Sequence, residues 1–146
     1  MRKFIVLVGN NGTGKTYYTL NHFPSNNLII RPDDFTGDYE SINKQIITGI
    51  EKGLINNKTV VLDGLNLEKS FRKQLLYFAN KHPNCKKIIY DFGAGNFRSL
   101  RRLIKTRPYK SEGEWYLIHF ENQKIYEKPS KDEGYDEIIE INNNFA

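Results

Sequence analysis

The chain has 146 residues, enough for one domain with a single core, and its 38% hydrophobic and 13% aromatic content excludes a disordered polypeptide. A net charge of +5 favours an anionic partner such as a nucleotide or nucleic acid. The single cysteine, Cys85, excludes an internal disulfide and has no metal-ligand spacing to His22, His82 or His119, so no structural zinc is expected; no apolar run is long enough to cross a membrane, and a soluble cytoplasmic protein is expected.

Phe4 to Val8 is a continuous apolar, β-rich run, the pattern of a strand buried on both faces. A helix is predicted from Lys15 to just before Pro24, then a short strand at Leu28 to Ile30 that "RPDD" stops. The isoleucines at 42, 46, 47 and 50 fit one face of a helix over 41–55. "TVVLD" at 59–63 reads as a third buried strand, followed by a helix with Leu67, Phe71, Leu75, Leu76 and either Phe78 or Ala79 inward. A fourth strand is predicted at 86–92, a very basic helix at 96–105, another helix at 112–123, and a last strand within 135–141 before an end, 142–146, expected to fray. Strands alternating with helices imply one domain, 1–146, with a parallel sheet covered on both sides. In such sheets ligands bind beyond the carboxyl ends of the strands, which directs attention to the loops after the first three.

The first of these loops, "GNNGTGKT" at 9–16, fits G-x-x-x-x-G-K-[ST] and lies between a buried strand and a helix. Its glycines let successive N–H groups converge on a phosphate, and the helix adds its positive end. Asn11, Gly12, Thr13, Gly14, Lys15, Thr16 and Tyr17 are the expected ATP contacts, with Lys15 reaching the β and γ phosphates and Thr16 holding Mg2+. The bland alternative is a glycine-rich turn that merely joins strand to helix. After the second strand, Asp33 and Asp34 offer a carboxylate to take a proton from an attacking hydroxyl, or else a helix cap and a solvated partner. Asp63, at the tip of the third strand, is placed to hold magnesium, or to make a simple "DG" turn. The stretch "FRSLRRLIKTRPYK" places Arg98 with Arg102, and Arg101 with Lys105, at i,i+4, where like charges repel unless an anion lies among them. A basic helical lid over ATP, with Arg102 and Arg107 meeting the phosphates, would answer that cost; a solvated basic face is the alternative.

Taken together, these segments resemble the kinase domain of polynucleotide 5′-hydroxyl kinases, within the P-loop kinase superfamily, over nearly the whole chain. The resemblance implies an α/β three-layer sandwich with a central parallel sheet of about five strands and a lid. It makes Asp33 the match to the aspartate of the family's R-D-D or R-D-x segment that activates the 5′-hydroxyl, with Pro32 in place of the arginine and Arg31 adjacent. "DGLN" is similar to the family's D-x-T-N element, keeping Asp63 and Asn66 and having Leu65 for threonine. The lid motif R-N-x-x-R is approximated by Arg102, Leu103 and, with one residue inserted, Arg107. "YEKPSKDEGYDEIIEI" resembles the F-E-x-P-x-x-x-E-G-F-x-x-I-x-x-I ending of eukaryotic members. Thr36 stands where bacteriophage-type enzymes have an arginine for the acceptor phosphate, and no D-x-D-x-T phosphatase element occurs.

The implied activity is ATP- and Mg2+-dependent phosphorylation of nucleic acid 5′ ends, DNA or RNA, with Lys15, Asp33 and Arg102 catalytic and Asp33, Asp34, Thr36, Asn66 and Arg72 on the acceptor side. Tyr39, Phe35 and Lys73 are further candidates to grip or stack on a strand end. A small-molecule hydroxyl such as a nucleoside, sugar or antibiotic is the alternative acceptor. A switch-type GTPase or an ATP-gripping binding module is a third reading, because "DFTG" at 34–37 fits D-x-x-G; it comes too soon after the loop, however, and no N-K-x-D element follows.

Overall fold

The structure is a computed structural model and describes residues 1–142; the predicted frayed end, except for Asn142, lies outside the described residues. Five strands, β1 Lys3–Gly9, β2 Leu28–Ile30, β3 Val60–Leu62, β4 Lys86–Gly93 and β5 Glu137–Glu140, form one sheet in the order β2-β3-β1-β4-β5. All four pairings are parallel, as the alternation of strands and helices predicts. The most apolar run, β1, takes the centre, where both faces are covered and a polar side chain would be costly.

Side chains alternate across β1 and serve two cores. Phe4, Val6 and Val8 meet Ile46, Ile50 and Leu54 of α2 (Tyr39–Ile55) and Leu75, Leu76 and Ala79 of α3 (Lys69–Ala79). Ile5 and Leu7 face the other way, toward Tyr18 of α1 (Lys15–His22) and Phe23. Each fully buried Val, Leu, Ile or Phe side chain among these gains roughly 1.5–3 kcal/mol from burial. Tyr18 also meets Phe92 edge-on, with ring centres 5.4 Å apart. Two further helices, α4 (Phe97–Thr106) and α5 (Glu112–Ile125), enclose a small core of their own from Leu100, Leu103 and Trp115. The Trp115 indole N–H donates to Arg107 O at 2.7 Å and closes the turn between them.

Boundaries differ from the spacing-based reading where caps decide them. α2 begins at Tyr39 rather than Ser41, because the Asp38 carboxylate accepts the Ser41 N–H at 2.8 Å. α3 begins at Lys69, so Leu67 packs from the preceding loop, and Ala79 rather than Phe78 is the fully buried residue at its end.

Candidate active site

Because every strand runs the same way, the loops after β1, β2 and β3 converge at one edge of the sheet. There they enclose a cavity of about 630 Å3, lined by the polar Lys15, Thr16, Arg31, Asp33, Asp63, Arg102 and Arg107 and also by Tyr39, Ile42, Asn43, Ile46 and Phe71. Asn11, Gly12, Gly14 and Tyr17 also line it.

The phosphate loop has the backbone that its glycines permit. Gly12 (φ 81°) and Gly14 (φ 92°) are left-handed, and a Cβ on Gly12 would lie 2.4 Å from Ser99 O and 2.8 Å from Leu103 Cγ, so α4 packs directly on the loop. α1 has no side-chain cap at its start. Its first helical bond runs from Tyr18 N–H to Gly14 O, which leaves the N–H groups of Lys15 and Thr16 ahead of the ladder, in position for an anion.

The Lys15 ammonium donates to Gly9 O and Asn10 O, both at 2.8 Å, and is buried. Burial lowers its pKa to about 8; Asp63 and Asp33 pull it upward, and Arg107 pushes it further down. Thr16 Oγ1 donates to Asp63 Oδ2 at 3.2 Å, and Arg31 Nε donates to the same oxygen at 3.2 Å. Arg31 was not among the expected site residues. The signal for it was present, since it stands one place before the position at which the resembling family carries its arginine, and the intervening Pro32 sets the offset.

Asp33 lies on a 3₁₀ turn, Pro32–Asp34, with its carboxylate on the cavity; Asp34 is exposed and outside the lining. Neither caps α2, which uses Asp38. Asn66 lines the cavity with a left-handed backbone (φ 49°), and its amide donates to Leu7 O at 2.7 Å, so the side chain ties the loop after β3 to β1. Thr36 is exposed and outside the lining.

Arg72, expected at the acceptor, is corrected by its surroundings. It is 0% exposed, pairs through Nε and Nη2 with the Glu133 carboxylate at 2.7 and 3.0 Å, and donates to Asn66 O, Leu67 O and Glu127 O. A guanidinium so fully engaged ties the chain's C-terminal segment to α3 and has no hydrogen left for a substrate.

The basic stretch divides by direction. Arg102 and Arg107 line the main cavity, whereas Arg98 and Arg102 line a second hollow of about 270 Å3 together with Thr13, Gly12 and the loop 93–96. Arg101 and Lys105 line neither and are exposed.

Sequence reasoning missed Asn10. This wholly buried amide donates through Nδ2 to Ala94 O (2.8 Å) and His119 O (2.9 Å), and through Oδ1 accepts from Asn11 N–H (2.7 Å) and Asn122 Nδ2 (3.1 Å). It joins the phosphate loop, the loop after β4 and α5. His119 Nε2 lies 2.7 Å from Ser99 Oγ and carries the connection into α4, and burial lowers its pKa. The pattern G-x-x-x-x-G leaves position 10 unspecified, and every partner but Asn11 lies more than eighty residues away in sequence.

By sequence, no protein-family model and no curated protein matches the chain. By structure, it is similar to a fungal RNA kinase (TM-score 0.76, 18% identity, covering 100% of this chain and 77% of the other). It is also similar to a gluconokinase from Sinorhizobium meliloti 1021 (0.60, 16%, 97% and 83%) and to Chaetomium thermophilum Kti12 in complex with ADP-AlF3 (0.57, 18%, 94% and 88%). These likenesses show the fold alone, a parallel five-stranded sheet flanked by helices that the chain shares with the fungal RNA kinase and the gluconokinase.

Proposed function

We propose that the protein transfers the γ-phosphoryl group of ATP to the 5′-hydroxyl of DNA or RNA. The observation that carries this reading is the position of Asp33, whose carboxylate shares one cavity with Lys15, Thr16 and Asp63 and is close enough to bear on the charge of Lys15. The polyphosphate takes the hollow at residues 11–16, with Lys15 exchanging its two carbonyl partners for phosphate oxygens. The nucleoside part of ATP extends into the second hollow, which adjoins the first at Gly12 and Arg102. Thr16 Oγ1 and Asp63 Oδ2 form a pair of hard oxygen donors that fits Mg2+ completed by water. When bound, Mg2+ offsets phosphate charge.

The acceptor hydroxyl enters between Asp33 and the outermost phosphate. Asp33 takes its proton as the new O–P bond forms and the bond to the departing ADP oxygen breaks, while Arg102 and Arg107 neutralise the charge on the moving phosphoryl group. The walls beyond Asp33, from Tyr39, Ile42, Ile46 and Phe71 with Asn43 among them, suit a flat base with a hydrogen-bonding edge. The likeness to an RNA kinase supports the same acceptor, while the likeness to a gluconokinase favours a small hydroxyl compound as the second reading.

The test is transfer of label from γ-labelled ATP to 5′-hydroxyl oligonucleotides, nucleosides and gluconate, with Asp33→Asn alongside. We expect label on oligonucleotides and a fall of about 10²- to 10⁴-fold in kcat for the variant, with ATP binding retained. Label on small compounds alone, or undiminished turnover in Asp33→Asn, overturns the proposal.

A further inference from the structure

We infer that the outer face of α4 is a contact surface for single-stranded nucleic acid, guiding the acceptor strand away from the mouth of the cavity. This rests on the polynucleotide reading of the acceptor and adds a surface to it. Phe97, Arg101 and Lys105 stand at four-residue steps and form one stripe, about 12 Å long at 1.5 Å per residue. All three are exposed, Phe97 by 67%, and none lines either cavity. The stripe starts at the site: Lys105 directly precedes Thr106 and Arg107, which line the main cavity, and Arg101 and Phe97 lead away from it.

Among the described residues, the charges on this face lack carboxylate partners. From 92 to 111 the sequence contains six lysines and arginines and no aspartate or glutamate. Among the described residues, neither Arg101 nor Lys105 lies within ion-pair distance of a carboxylate. Two cations one helical turn apart repel each other, a cost that a polyanion laid along the helix removes. Arg101 is held with its guanidinium 4.8 Å from the centre of the Phe97 ring, so a flat cation and an aromatic face stand together. That pairing of backbone-neutralising charge with a stacking face is what an unpaired strand requires, and any base can use it. Arg102 and Arg107 face the cavity, so their role is separate.

The experiment measures binding of a 5′-phosphorylated, 3′-fluorescent single-stranded oligonucleotide, which has no acceptor hydroxyl, across a salt series. The variants are Arg101→Gln with Lys105→Gln, and the charge-keeping Arg101→Lys with Lys105→Arg. Removing two phosphate contacts is expected to make the slope of log K against log salt shallower by about 1.4, at about 0.7 per phosphate, and to weaken binding at low salt. The charge-keeping pair retains the wild-type slope, and Phe97→Ala weakens binding about fivefold without changing the slope. Thermal unfolding and ATP binding stay at wild-type values in all of them. A glutamine pair with unchanged affinity and slope, or a wild-type protein that does not bind the oligonucleotide, overturns the inference. If the wild type binds with the expected slope but never labels a 5′-hydroxyl oligonucleotide, the proposed function fails and the surface stands. If it labels the oligonucleotide and the glutamine pair keeps the wild-type slope, only the surface fails.

Discussion

The Lys15 ammonium is held out of water between two carbonyl oxygens of its own loop, and burial brings its pKa to about 8 from an ordinary 10.5. A bound polyphosphate favours the charged form and raises that pKa again. Between about pH 8 and the ordinary lysine value, the bound protein therefore carries more protons than the free one, and ATP binding takes up a proton there. Calorimetric titration in buffers of different ionisation enthalpy is expected to show uptake at pH 8.5, little at pH 6.5 and none in Lys15→Met. Affinity for ATP falls as pH rises through 8. Lys15, Thr16 and Asp63 were legible from sequence because the loop fixes two of them at set offsets, and the apolar run before Asp63 fixes the third. The bond between Arg31 and Asp63 was not, because it spans two strands whose adjacency only the folded sheet creates.

At the level of elements, Asn10 joins the α4–α5 pair to the phosphate loop, since one amide meets both α5 and the loop after β4. Replacing it with alanine takes that donor from the buried His119 O and the part-buried Ala94 O and frees the loop from the α4–α5 pair. Asn10→Ala is expected to cost about 2–6 kcal/mol in urea unfolding, at roughly 1–3 kcal/mol for each of the two carbonyls left unmatched. It is also expected to raise the KM for ATP more than it lowers kcat, because the hollow is loosened while Asp33 stays in place. An unchanged KM would mean that the loop keeps its shape unaided. The helices themselves were readable from apolar spacing, and their first residues were not. α2 starts where Asp38 finds the Ser41 N–H, and a side chain that caps looks the same in sequence as one that is merely solvated.

For the molecule as a whole, the parallel sheet was legible from alternating strands and helices, but the strand order was not. The runs 59–63 and 86–92 both read as strands, and only packing sets one on each side of β1. Arg72 illustrates the same limit: a helical arginine expected at the acceptor becomes an interior tie because the turn before β5 brings Glu133 to it. Arg72→Ala strands that carboxylate and is expected to cost about 3–5 kcal/mol, read as a lower unfolding midpoint, with oligonucleotide affinity of the folded protein unchanged. Arg72→Met, of similar bulk, tests whether charge or volume carries the loss. Tyr135, whose hydroxyl donates to Arg72 O at 2.7 Å, reinforces the same tie.

The separate apolar filling of the lid has an evolutionary consequence. A helical pair that shelters its own Leu100, Leu103 and Trp115 can be lengthened, recharged or exchanged while the sheet keeps its layers, provided that Gly12 still leaves room for Ser99. Under the proposed function, drift in that pair would then retune which donor is grasped and how quickly it is released, and the scaffold beneath would be inherited intact.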